Sequence, residues 1–152
     1  MDKTDAKVLI IDDDRDVLLA AKLFLKQHFT TVHTEPDPQN ITALLKNENY
    51  DIILLDMNFS RESTSGKEGF FWLNKILEID PAAVVIFITG YGDIELAVQG
   101  IKEGATNFLL KPWDNKKLLA EIQANLKVSE NNRELEDLRN KKKTLQIGRA
   151  HV

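Results

Sequence analysis

Cysteine is absent from the 152 residues. That excludes a disulfide framework and a thiolate metal site, and it suits a reducing compartment. No apolar run approaches the roughly 18 residues that a membrane helix needs. The opening MDKTDAKVLI lacks the basic, then apolar, then small-residue order of a secretory signal. A phosphate-binding GxxxxGK[ST] loop is also missing. What is present is apolar content of 43%, enough for a buried core. Net charge is −4 and uneven: residues 1–125 carry −7, and residues 126–152 carry +3. The acidic body argues against nucleic-acid binding by that body, and the basic tail is too short to claim it. The expected setting is cytoplasmic, away from membranes.

Five short apolar runs stand out: Val8–Ile11, Thr31–His33, Ile52–Leu55, Val84–Ile88 and Phe108–Leu110. All but the second are near-continuous, as strands buried on both faces must be. Between and after them lie stripes at helical spacing: Val17, Leu18, Ala21, Leu25; Ile41, Leu44, Leu45; Phe70, Leu73, Ile76, Leu77; Ile94, Ala97, Val98, Ile101; and Leu118, Leu119, Ile122, Leu126. Asp93 and Asp114 stand where they can cap the fourth and fifth helices, Gly104 where it can close the fourth, and Pro81 where the third must stop. A β-α unit repeated five times implies a parallel sheet covered on both faces. The polar second run suits an edge. The expected fold is α/β, a flavodoxin-like doubly wound five-stranded parallel sheet in the order 2-1-3-4-5 with an extended C-terminal helix.

Such sheets bind ligands at the carboxyl ends of their strands. There the sequence places Asp12, Asp13 and Asp14 after the first strand, Asp56 after the third, Thr89 and Gly90 after the fourth, and Lys111 and Pro112 after the fifth. Taken singly, each is bland: an acidic run favours a helix N-terminus, and Lys-Pro is a common turn. Their joint arrival at one sheet edge points to chemistry. Clustered carboxylates repel unless a cation joins them, and a hard divalent ion such as Mg²⁺ takes oxygen ligands. Asp56 can then act as a nucleophile toward phosphorus, with the ion and Lys111 neutralising phosphoryl oxygens and Thr89 donating a hydrogen bond. Gly90 leaves room for a phosphodonor.

The segments VLIIDDD (8–14), IILLDMN (52–58), VIFITGYGD (85–93) and NFLLKPW (107–113) together resemble the receiver domain of bacterial two-component response regulators over about residues 6–128. That resemblance implies a CheY-like phosphoacceptor switch rather than an enzyme acting on other substrates. It implies Asp13 as a direct ligand of Mg²⁺ or Mn²⁺, Asp12 acting largely through water, Asp56 as phosphoacceptor and ligand, and Asn58 offering its backbone carbonyl. Thr89 and Lys111 look like the family's hydroxyl and lysine. Phe108, three residues before Lys111, looks like the aromatic that follows the hydroxyl inward. The implied partner is a sensor histidine kinase, and the implied output face is the fourth helix, fifth strand and fifth helix. Two departures stand out. The stretch MNFSRESTSGKE between Asp56 and Gly69 is about five residues longer than usual in the family, and its polar, Ser/Gly-rich composition favours mobility. Phe108 also stands where Tyr is common.

A receiver over 1–127 and a helical linker over 128–152, with no output domain, is the expected organisation. A heptad can be traced through Ala124, Val128, Asn131, Leu135, Leu138, Lys142 and Leu145, with Asn131 read at an a position, which favours two strands. A homodimer through this linker and the output face is expected. ITGYGD and the charged linker look most like receivers of enhancer-binding AAA+ transcription activators. The alternatives are weaker. A phosphorylation-independent interaction module has no need of Asp13, Asp56, Thr89 and Lys111 together. An Asp-nucleophile phosphohydrolase wants an acid where Asn58 stands. A flavodoxin-like cofactor binder wants a phosphate loop where three aspartates stand.

Overall fold

Alternate residues of one strand serve opposite layers, which is why the strands read as unbroken apolar runs. Val8 and Ile10, Ile52 and Leu54, and Ile86 and Ile88 enter one core; Leu9 and Ile11, Ile53 and Leu55, and Val85 and Phe87 enter the other. The computed structural model describes residues 2–59 and 67–150, with side chains to residue 142. The expected mobility of 57–68 falls largely outside those residues, as does the side chain of Leu145.

The strands are β1 (Thr4–Ile11), β2 (Phe29–Glu35), β3 (Ile52–Asp56), β4 (Val85–Thr89) and β5 (Asn107–Leu110). They are parallel and ordered β2-β1-β3-β4-β5, as expected. The helices are α1 (Arg15–Leu25), α2 (Ile41–Asn47), α3 (Lys67–Ile79), α4 (Ile94–Lys102) and α5 (Asn115–Ala150). Leu18, Ala21 and Leu25 of α1 and Leu118 and Ile122 of α5 fill one core, and α2, α3 and α4 cover the other face. β2 exceeds its apolar centre because Phe29 is buried and the pairing with β1 runs from Thr4–Phe29 to Ile11–Glu35.

Local chemistry fixes the ends. Asp14 Oδ1 accepts from the backbone N–H groups of Asp16 and Val17 and caps α1. Asp114 Oδ1 accepts from Lys116 N at 2.7 Å at the start of α5. Gly104 closes α4 with φ +123°, where a side chain would be strained. Asp93 differs from expectation: it stands at the N-cap position of α4 but makes no capping bond with its side chain.

Two further expectations are corrected. Of the expected α4 stripe Ala97 is buried, but Ile94, Val98 and Ile101 lie partly exposed, and Gly100 takes an inward position beside Ala97. Gly100 sits so close to the Phe87 ring that a Cβ would lie 2.5 Å from Cε2, so the large side chains are turned outward. In α5, the a-to-d step of a heptad is three residues, so the spacing from Ala124 puts Val128 and Leu135 at a and Asn131 at d. Asn131 therefore does not supply the a-position preference for two strands. The helix continues unbroken past residue 127, and Ser129 is buried against the domain.

Candidate functional site

The chain leaves β1 for one side of the sheet and returns as β3 on the other, so the strand order reverses between β1 and β3. Asp12 follows β1 and Asp56 ends β3, flanking that switch point, where parallel sheets open a crevice. Asp12 is fully buried, Asp56 nearly so, and Asp13 is exposed. Carboxylate oxygens of all three lie within 4.8 Å of one another.

Lys111, at the carboxyl end of β5, extends its ammonium into this cluster. Nζ lies 2.5 Å from Asp12 Oδ2 and 3.6 Å from Asp56 Oδ1. Asp12 Oδ1 accepts from Asp14 N at 2.9 Å, whereas the buried Oδ2 meets only the Lys111 ammonium among the described residues. Asp56 Oδ1 is approached by Asn58 N at 3.5 Å.

This crowding shows in the protonation equilibria. Burial, then the Asp12 charge, push Asp56 up to about 7, against the smaller opposing pull of Lys111. Burial and Asp12 also raise Asp13. Burial draws the Lys111 ammonium down, but Asp56 and Asp12 outweigh it and leave its pKa raised.

Thr89 ends β4, one residue past Ile88, the register partner of Asp56. Its hydroxyl is buried and, among the described residues, has only weak partners, Gly90 O at 3.4 Å and Met57 Sδ at 3.9 Å. Phe108 of β5 pairs in register with Phe87 and packs half-buried against the core beneath. Asp14, the third acid of the run, is engaged in its cap. Asn58 has a role the sequence did not reveal: Nδ2 donates to Asp93 Oδ2 at 3.1 Å, tying the loop after β3 to the start of α4. The two residues are 35 apart, and no local pattern signals the pairing. Gly69 was legible as a loop end but not for its reason: a Cβ there would lie 2.6 Å from Met57 O. The Lys111–Pro112 bond is cis, which the sequence did not signal either.

The donor set fits a hard divalent ion. It is all oxygen, its three carboxylates face a single ammonium, and among the described residues one buried oxygen of Asp12 is met by Lys111 alone. No helix among the described residues is long and apolar enough to cross a membrane.

A flavodoxin-like sheet whose switch point gathers three carboxylates and a lysine ammonium has the architecture of a signal receiver domain. The chain belongs to the response regulator receiver domain family, whose profile matches residues 8–123. It is 35% identical over 106 residues to the C4-dicarboxylate transport transcriptional regulatory protein DctD of Rhizobium meliloti, covering 70% of this chain and 22% of DctD. It is 33% identical over 119 residues to the phosphoglycerate transport system transcriptional regulatory protein PgtA of Salmonella typhimurium, covering 78% of this chain and 28% of PgtA. The chain thus spans under a third of these relatives. Among solved structures, the N-terminal signal receiver domain of a two-component response regulator from Bacteroides fragilis is similar at TM-score 0.73 and 42% identity, covering 81% of this chain and 98% of that one.

Proposed function

We propose that the chain is a phosphoacceptor switch in which Asp56 takes a phosphoryl group from the phosphohistidine of a sensor histidine kinase. The observation that carries this reading is a nucleophile-capable carboxylate, buried at the end of β3, with two further carboxylates and an ammonium gathered around it. Asp12, Asp13, Asp56 and the Asn58 backbone carbonyl would hold Mg²⁺ or Mn²⁺, which supplies charge neutralisation for phosphoryl oxygens. A carboxylate oxygen of Asp56 bonds to phosphorus as the phosphorus–nitrogen bond of the donor breaks, and the imidazole leaves with the electron pair. Lys111 neutralises an oxygen of the transferred group. Thr89, whose hydroxyl has only weak partners, turns to donate to another, and Phe108 moves into the space vacated. The raised pKa of Asp56 makes the metal-free carboxylate a poor anion at neutral pH, so cation binding and nucleophile activation are linked.

In this reading residues 1–127 are the receiver and 128–152 a helical linker to an output domain, transcription-activating in kind, in the cytoplasm. Ile94, Val98 and Ile101, left half-exposed on α4, favour the α4-β5-α5 face as the surface that changes partners and, with the linker, joins a homodimer. Neither membrane nor nucleic acid is contacted by this part.

The test is incubation with a small acyl phosphate and Mg²⁺, followed by mass spectrometry under conditions that keep acyl phosphates. One labile phosphoryl group on wild type and none on Asp56→Asn is the expected result. Equal uptake by Asp56→Asn overturns the assignment. No uptake by either, together with unchanged kinase binding by both, favours the phosphorylation-independent interaction module.

A further inference from the structure

The apolar contacts that fasten α5 to the sheet end early. Leu118 and Ile122 are buried, Leu126 and Val128 partly so, and beyond them Leu135 and Leu138 are 52% and 62% exposed. A helix losing its apolar anchors at this point should swing free. Instead, at the amino-terminal edge of the sheet, Arg133 enters a half-buried site. Nη1 and Nη2 grip Asp80 Oδ1 and Oδ2 at 2.5 and 2.7 Å, and Nη2 also donates to Tyr50 O at 2.9 Å. One residue earlier, Asn132 Nδ2 donates to Ala82 O at 3.4 Å.

The clamp has a specific geometry. Tyr50 lies two residues before β3, and Asp80 opens the turn that precedes β4, so one guanidinium bridges the entries of the two strands whose far ends carry Asp56 and Thr89. Asp80 is itself locked by its turn: Oδ1 accepts from Ala82 N, and its carbonyl accepts from Ala83 N. The acceptor is thus preorganised, and only a planar, forked donor satisfies both carboxylate oxygens and a backbone carbonyl at once. Its side-chain exposure is 28% for Arg133 and 11% for Asp80, so solvent screens it less than a surface pair.

We propose that Arg133 is the positioning residue that makes the receiver and the first part of its linker one rigid lever. It fixes the direction in which α5 leaves the domain. Residues 129, 132, 133 and 136 share the clamped side of the helix, and Leu138 lies nearly opposite. The clamp therefore leaves Leu138 clear for a second helix, and it needs no phosphoryl chemistry at Asp56.

The chain has no cysteine, so spin labels can be placed cleanly. Lys26→Cys on the domain and Lys141→Cys on α5 would be labelled, diluted with unlabelled protein, and the distance between them measured by pulsed electron paramagnetic resonance. One narrow distribution is expected for the otherwise unchanged chain and a broad one for Arg133→Ala and for Asp80→Ala, with Arg133→Lys between them. A narrow, unshifted distribution in both alanine variants overturns the proposal. Amide exchange gives a second reading that does not depend on the labels. Arg133→Ala should exchange at least tenfold faster over residues 130–142, with β3 and β4 unchanged. An equal rise throughout the chain overturns the proposal, because Arg133 would then add only global stability.

Discussion

Lys111 stands closer to Asp12 than to Asp56, 2.5 Å against 3.6 Å, so in the metal-free protein the ammonium is committed mainly to the carboxylate that is not the candidate nucleophile. A divalent ion binding Asp12 competes for that charge. Lys111→Ala should therefore keep divalent-ion affinity or tighten it, by up to about tenfold, the scale of one charge-assisted hydrogen bond. Titration with Mg²⁺ followed by the fluorescence of nearby Trp113 reads this directly. Loss of affinity in the variant would mean that Lys111 organises the acidic cluster instead of competing for it. The same variant should respond less to a phosphoryl mimic in the exchange rates of α4 and β5.

The metal-free protein should lose stability as pH rises through neutrality. Asp56 titrates near 7 when folded and near its ordinary value of 3.8 when unfolded. The folded state thus binds more protons across that window, and a raised carboxylate contributes stability that is complete below the unfolded value and lost as pH passes the folded one. A shift of that size corresponds to at most about 4 kcal/mol. Urea unfolding at pH 5 and pH 8 in the presence of a chelator should show the difference. Asp56→Asn should flatten it and be more stable than wild type at pH 8. Saturating Mg²⁺ should flatten it as well, since the ion binds the ionised cluster. A profile as steep in Asp56→Asn as in wild type would place the origin elsewhere.

Most of the sheet was legible because burial on both faces leaves a compositional mark. Ile52–Leu55 and Val84–Ile88 admit little else. The candidate site was legible for a related reason: in parallel sheets the ends of strands are functional positions, so Asp12, Asp56, Thr89 and Lys111 are found by locating strands first. Long-range polar pairs were not legible. Asn58–Asp93 and Arg133–Asp80 join residues far apart in sequence through groups that read equally well as solvated surface. The inward side of α4 was read correctly at Ala97 but not beyond it, because apolar periodicity also favours Ile94, Val98 and Ile101, whereas close approach to Phe87 demands Gly100.

Gly69→Ala should destabilise the protein even though Gly69 lies in the first turn of α3. Alanine gains about 1 kcal/mol over glycine in helix propensity. Against this, the added Cβ would lie 2.6 Å from Met57 O and 2.9 Å from Met57 Cα, backbone atoms that cannot rotate away. Overpacking of that kind costs about 1–3 kcal/mol, so the net effect should be a loss. Because Met57 follows Asp56, divalent-ion affinity should fall with it. Thermal unfolding with and without Mg²⁺ separates the two effects. A variant more stable than wild type would mean that the loop before α3 yields without strain.

The linker dimer can be tested at one residue. Leu138 is the most exposed leucine among the described side chains of α5 and stands at a d position in the corrected register. In the same register Glu134 and Arg139 occupy g and e, the pairing that attracts across a parallel two-stranded coil. Leu138→Lys places a charge on that seam while leaving the Arg133 clamp and the Asp56 site untouched. Sedimentation should show a dimer for wild type and a monomer, or a dimer weakened at least tenfold, for the variant. Glu134→Arg should weaken the dimer, and Glu134→Arg with Arg139→Glu should restore it, because the two pairs exchange places. A dimer indifferent to all three variants would shift the interface to the half-exposed α4 side chains Ile94, Val98 and Ile101. In that case the linker would take its direction from the clamp and its partner from the output domain.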